Sequence, residues 1–342
     1  MLPKSWMLQT AERGASASKK APHEKYLEAF RIMLQTRIFE EKLASLYRGG
    51  LITGGVYIGV GPDQNFSYIA RIRPSVAFIV DIRRDNLLLH LLFKALFAAS
   101  RYRVEYLSLL TGRPVPDHVE NWRNASIDQI VAYIDGAGRS DTRALDRRLH
   151  EIIQRFGVPV SAEEFATIGR FHAAFVTSGL ALRFQTFGRP TQSYNPTYRE
   201  LLMEGDRTGR KLSYLVSEND FQFVRSLQAR DGVIPVVGDL SGRHALAAVG
   251  KWMTDNNERL SAFYVSNVEN YLFREDGFGR YMENLNRLPH TDRSVIIRSI
   301  FGRPTAQSVP GYYSTSTVQD FDELLANFSA GKYRSYSDLL GR

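Results

Sequence analysis

Residues 56–70 read VYIGVGPDQNFSYIA: an apolar run, a turn built on Gly59 and Gly61, then a segment with helical spacing. A short buried strand, a glycine turn and a helix open a β-α-β unit, and glycines there let the backbone bend tightly and a ligand approach it. The continuation, NFSYIARIR, predicts a helix stopped by Pro74, and SVAFIVD a second buried strand ending on Asp81. Pro62 and Asp63 stand where a dinucleotide-binding turn usually carries its last glycine.

That substitution bears on the ligand. A pyrophosphate sits on a helix N-terminus because free N–H groups and the helix dipole attract it, and an acidic Asp63 there repels phosphate but suits an ammonium. The loop favours a nucleoside with a positively charged amino-acid tail over a dinucleotide, and S-adenosylmethionine fits that description. Asp63 also has a purely structural reading, as the N-cap of helix 64–72. Asp81 follows Gly59 by 22 residues and ends the second strand, where a carboxylate accepts hydrogen bonds from both ribose hydroxyls.

Working outward, the 342 residues suffice for one large α/β core with an insertion, and 44% hydrophobic with 12% aromatic residues can bury enough apolar surface to fold. With no cysteine there are no disulfides, thiolate metal sites or thiol nucleophiles. The seven histidines form no HExxH or comparable pair, so no metal site is expected. No uncharged stretch reaches the roughly 20 apolar residues of a membrane span, since NLLLHLLFKALFAAS is interrupted by His90 and Lys94. A cytoplasmic protein is expected. The formal charge of +8 is compatible with RNA, an anionic lipid surface or a phosphorylated metabolite, but no block of five like charges concentrates it. Nucleic acid therefore stays open as a partner, and the oligomeric state is not legible.

Residues 1–22 read as a disordered lead-in. Residues 23–113 read as the first half of a Rossmann-like domain, opened by an amphipathic helix from His23 to Tyr47. Residues 114–215 hold helical patterns without a convincing strand and read as a helical insertion; residues 216–342 return to strand–helix alternation and complete the domain. The expected fold is α/β, a doubly wound and mostly parallel sheet covered on both faces.

Across roughly residues 50–100 and 215–320 the chain resembles the class I S-adenosylmethionine-dependent methyltransferases. YIGVGPD looks like their first glycine-rich motif, FIVDIRRDN like the second strand with its acidic residue, VVGDLSG like the third strand, and FYVSNVENYL like the fourth. It is more closely similar to the aminocarboxypropyl transferases of betaine-lipid synthesis and to bacterial proteins of that type. It departs from the pattern in lacking the third motif glycine, and in placing Asn267-Val268 where amino-group methyltransferases carry an Asn/Asp-Pro-Pro-aromatic signature. The resemblance implies S-adenosylmethionine bound at Gly59, Gly61, Asp63, Asp81 and Asp239, and transfer of a methyl or 3-amino-3-carboxypropyl group to a small or lipid-like acceptor.

Asp239 reads equally as an adenine ligand and as the N-cap of a helix over 241–253. Asn267 and Glu269, at the end of the fourth strand, and Glu218, before the third, are the candidate catalytic residues; a helix cap also explains Asn267, and favourable dipole charge explains Glu218. Tyr194, Tyr198, Arg199 and Tyr214 offer polar-tipped aromatics and a fixed cation for a mixed apolar and anionic substrate. Two alternatives stand beside the transferase: a non-catalytic binding or regulatory protein on the same fold, and a serine hydrolase using Ser241 and His244, which would lack the G-x-S-x-G elbow.

Overall fold

The structure, a computed structural model, describes residues 54–183, 196–205, 209–301 and 314–341. The helix expected over 23–47 and the expected ligand residue Tyr194 lie outside them.

Six strands form one sheet: β1 (Val56–Gly59), β2 (Val76–Asp81), β3 (Val233–Val237), β4 (Leu260–Ser266), β5 (Val295–Phe301) and β6 (Ser314–Asp320), in the spatial order 3-2-1-4-5-6. The first five are parallel and β6 is antiparallel to β5, so the fold is mixed α/β with a mostly parallel sheet. Val56, Tyr57, Ile58, Ala77, Phe78, Phe263 and Tyr264 are all fully buried, as strands covered on both faces must be. Neighbour order reverses between β1 and β4, and in open α/β sheets ligands bind beyond the carboxyl ends of the strands at such a switch point.

Helix α1 (Gln64–Ile72) returns from β1 to β2 and ends at Arg73, left-handed at φ 50° just before Pro74. Helix α2 (Arg84–Ala99) is buried nearly all round, which explains its continuous apolar run. Its Lys94 is satisfied inside, donating at 2.8 Å to the Gln228 carbonyl and pairing with Asp231.

Between β2 and β3 the chain is helical: α3 (Arg103–Thr111), α4 (Ile127–Gly136), α5 (Arg143–Arg155), α6 (Ala162–Ser178), α7 (Tyr198–Met203) and α8 (Glu218–Ala229). Capping boxes start three of these, Ser126 with Gln129, Ser161 with Glu164 and Thr197 with Glu200. Ile130, Ile153 and Phe175 join the same apolar core as the strands. The region expected as an insertion thus packs into the sheet domain.

After β3 come α9 (Ala245–Asp255), then, beyond β4, α10 (Val268–Arg274) and α11 (Phe278–Asn286), and after β6 α12 (Phe321–Ser329) and α13 (Tyr336–Leu339). The stretch YLFREDGFGRYMENLNRL, which reads as one helix, breaks at Asp276, left-handed at φ 53°, and Gly277.

Candidate functional site

The turn after β1 is held from inside. Gly61 has φ 85°, a conformation that favours glycine. Gly59 serves differently: a Cβ there would overlap Asn65 Oδ1 and come within 2.9 Å of the Tyr57 hydroxyl, so its missing side chain makes room for a buried hydrogen bond between those two, 2.7 Å long. Asn65 Nδ2 donates to the carbonyls of Val60, Gly61 and Pro62 at 3.0, 3.2 and 2.7 Å. Asn86 Nδ2 and His90 Nε2 reach the Gly61 carbonyl as well, at 3.2 and 3.0 Å. Burial lowers the His90 pKa to about 4, leaving a neutral ring whose Nε2–H donates. Gly59 thus has a packing reason for lacking a side chain.

Beyond the carboxyl ends of β1, β2 and β3 lies a cleft of ≈ 220 Å³, closed on its far side by α10 and the start of α11. It brings together Asp81 and Asp239. Asp81 is 8% exposed, and its carboxylate accepts from the Arg83 N–H (2.9 Å), Nε (3.2 Å) and Nη2 (3.1 Å). Asp239 accepts from the Ser241 N–H at 2.8 Å and from its hydroxyl at 3.0 and 3.1 Å. It caps that turn rather than a helix over 241–253, since α9 begins at Ala245 with His244 at its N-cap. Ser241 Oγ is thereby committed to Asp239 while His244 stands exposed, so the pair expected for a hydrolase is not assembled. Ile82, 41% exposed, presents apolar surface to the same cleft.

Asp63 lies elsewhere. It lines a second cavity, ≈ 60 Å³, together with Tyr68, Tyr198, Glu204 and Tyr214. The residue expected on the cofactor side thus joins two expected on the substrate side. Burial pushes its carboxyl up to about 6, partly offset by the Tyr198 hydroxyl. The N-cap reading is corrected, because the Asp63 side chain makes no capping hydrogen bond to α1.

A family described as Domain of unknown function (DUF7790) matches residues 35–341. The chain belongs to that family. No curated protein matches it.

At the end of β4 this member of the family carries two buried polar atoms without partners among the described residues: the Ser266 hydroxyl, on a left-handed residue at φ 54°, and Asn267 Oδ1. Asn267 occupies the N-cap of α10 without a side-chain capping bond, which removes the cap explanation for it. Glu269 is corrected from candidate base to structural ion: it is fully buried, paired with Arg298 through Nε and, at 3.1 Å, Nη2, and reached by the Tyr281 hydroxyl at 3.4 Å. Glu218 is corrected likewise. It pairs with Arg103 at 3.4 Å, while Asp220 on the same helix pairs with Arg71 and Arg73 at the far end of α1, so α8 begins at the amino edge of the sheet, away from the cleft. Arg199, expected to face substrate, forms a surface pair with Asp135 at 2.6 Å.

Sequence reasoning missed Arg83, Ile82, Asn65, Asn86 and Arg298. The first two adjoin Asp81 in the motif itself, and their neighbourhood was the available signal. Asn65 carries a partial local signal, since the three carbonyls it holds lie three to five residues before it, whereas Arg298 carries none, because it takes its role from Glu269 on another element. Among the described residues no group of His, Asp or Glu is arranged to hold a metal ion, and no helix is long and apolar enough to cross a membrane.

Proposed function

We propose that the chain is an S-adenosylmethionine-dependent transferase of the class I methyltransferase type, acting in the cytoplasm on a small or lipid-like acceptor. The observation that carries this reading is the meeting of Asp81 and Asp239, at the ends of neighbouring strands, in one cleft beside the glycine turn. The strand order, with an antiparallel strand beside β5, supports it.

The donor set fits the group. A carboxylate offers about four acceptor positions, and Arg83 and its own N–H use three at Asp81, leaving capacity on Oδ2 for a ribose hydroxyl. Arg83 holds that carboxylate in place before a ligand arrives. Asp239 retains capacity on Oδ2 for an amino group of the base, and Ile82 offers it an apolar neighbour. The buried, unpartnered Asn267 Oδ1 is an acceptor at the end of β4. S-adenosylmethionine, when bound, supplies a sulfonium whose attached carbons are electrophilic. The chain's part is to bind and orient, since Glu269 and Glu218 are held in ion pairs and neither is free to take an acceptor's proton.

That same pairing favours a second reading, a binding protein without catalysis. Calorimetry on ligand-stripped protein with S-adenosylmethionine, and NAD as control, tests the first claim; tight binding of NAD alone would reverse it. Incubation with cell extract then separates the rest. S-adenosylhomocysteine as product indicates methyl transfer, methylthioadenosine indicates aminocarboxypropyl transfer, and binding with neither product indicates the non-catalytic protein.

A further inference from the structure

We propose that the Asp63 cavity is a recognition site for an ammonium group, the charged end of a small amine or of an amino acid. Two carboxylates line it, Asp63 and Glu204, and none of its lining residues is Arg, Lys or His, in a chain whose formal charge is +8. A desolvated carboxylate is costly unless it is paired or neutralised. Among the described residues no ion pair is made by Asp63, and although it stands at the head of α1 its carboxylate is not spent on the helix.

A second group points into the same space. Tyr198 is 7% exposed, and its hydroxyl is buried beside Asp63 and Tyr214 without reaching hydrogen-bond geometry with either. The Tyr214 hydroxyl is already used, donating to Tyr106 at 3.3 Å. The Tyr198 O–H is aimed to donate to Asp63, as its lowering effect on that carboxyl indicates, so the acceptors left for a ligand are the remaining Asp63 carboxylate positions and the Tyr198 oxygen lone pair. An ammonium brings a positive charge and three N–H donors, enough to answer both at once. A phosphate or carboxylate would be repelled, and a neutral alcohol would leave the Asp63 charge uncompensated.

This site stands on its own lining and does not depend on the nucleoside reading. The ammonium has two possible sources, the tail of an amino-acid-bearing nucleoside in the neighbouring cleft or a separate amine acceptor, because Val60 of the same turn lines the cleft while Asp63 lines the cavity.

The test titrates the full chain with ethanolamine, and with ethylene glycol as a neutral analogue, by saturation-transfer NMR at constant ionic strength. Ethanolamine should bind and ethylene glycol should not. The Asp63 carboxyl titrates at about 6, so ethanolamine affinity should fall about tenfold from pH 7.5 to pH 5 as the carboxylate takes a proton. Of the other titratable groups facing it, Tyr198 and Tyr214 stay protonated throughout, burial pushing both well up, and Glu204→Gln controls for the second carboxylate. Asp63→Asn should abolish binding, and Tyr198→Phe should weaken it several-fold while keeping the pH dependence. Equal binding of the two probes, or an affinity unchanged between the two pH values, overturns the proposal, and both are read on the wild type, so a variant that fails to fold does not block the answer. Competition with S-adenosylmethionine, together with indifference of methylthioadenosine to Asp63→Asn, assigns the ammonium to the nucleoside's tail. Simultaneous binding assigns it to an acceptor. If S-adenosylmethionine does not bind at all, the ethanolamine result still stands.

Discussion

Tyr57 and Asn65 meet across the space that a side chain at position 59 would fill, the hydroxyl donating to Oδ1 at 2.7 Å. Gly59→Ala forces them apart, and Asn65 also holds three carbonyls of the turn. The expected loss is about 1–3 kcal/mol, the cost of leaving a buried polar group unsatisfied, read as a lower urea midpoint at unchanged slope. A change within about 0.5 kcal/mol, the range of an ordinary surface substitution, would show that the turn relaxes around a methyl group.

Arg298 and Glu269 bind helix α10 to strand β5 inside the protein, and Gln319 accepts from Arg298 Nη1 at 2.8 Å. Removing one partner alone, as in Arg298→Met, leaves a buried charge and should cost about 3–5 kcal/mol. Replacing both, with Glu269→Leu added, should recover most of that. A denaturation double-mutant cycle measures the coupling, and additive single effects would dismiss it.

His90 and Asp63 give the stability opposite pH slopes. The folded His90 pKa is depressed to about 4 from 6.5, so its contribution is fully present above pH 6.5 and disappears as pH falls through 4. At about 1.36 kcal/mol per pKa unit the loss is about 3 kcal/mol. The folded Asp63 pKa is raised to about 6 from 3.8, so its contribution is present below pH 3.8 and disappears as pH rises through 6. Between pH 4 and 6 the two oppose each other. His90→Gln should therefore flatten the loss of stability on acidification and Asp63→Asn should steepen it, in melting curves taken at half-unit steps. The same slope in both variants would contradict the assignment.

Asp81→Ala removes the carboxylate that faces the cleft and should weaken S-adenosylmethionine binding by about 1–3 kcal/mol, roughly 5- to 150-fold. Ile82→Ser, at an exposed position, should lower affinity while leaving the melting temperature in place. Calorimetry alongside thermal unfolding reads both, and unchanged affinity in the two variants would remove this end of β2 from the site.

Arg199→Ala breaks an exposed pair with Asp135, 2.6 Å apart. Such pairs contribute about 0–1 kcal/mol, so stability should move by no more than that and ligand affinity should hold. A loss of turnover at unchanged stability would return Arg199 to the substrate side.

What the sequence determined alone was, over the described residues, the order of strands and helices, except that the one helix read in YLFREDGFGRYMENLNRL is two. Alternation of buried strands with helices, the glycine turn, the stop at Pro74 and the capping boxes depend on residues a few positions apart, and hydrogen-bond geometry over that range is written locally. The meeting of Asp81 with Asp239 was legible too, because both end neighbouring strands of a parallel sheet, and parallel strands deliver their ends to one edge. Which partner each charged side chain takes was decided by the tertiary structure. Glu269 looked like a base at the mouth of the cleft until Arg298, 29 residues on, reached it. Arg199 looked like a substrate cation until Asp135, 64 residues earlier, paired with it. Asp63 looked like a cofactor ligand or a cap, and α7 placed Tyr198 beside it. Coulomb and desolvation energies depend on distance and burial, both set by how distant segments pack, so a residue's type alone does not tell whether its charge is spent inside the protein or kept for a ligand.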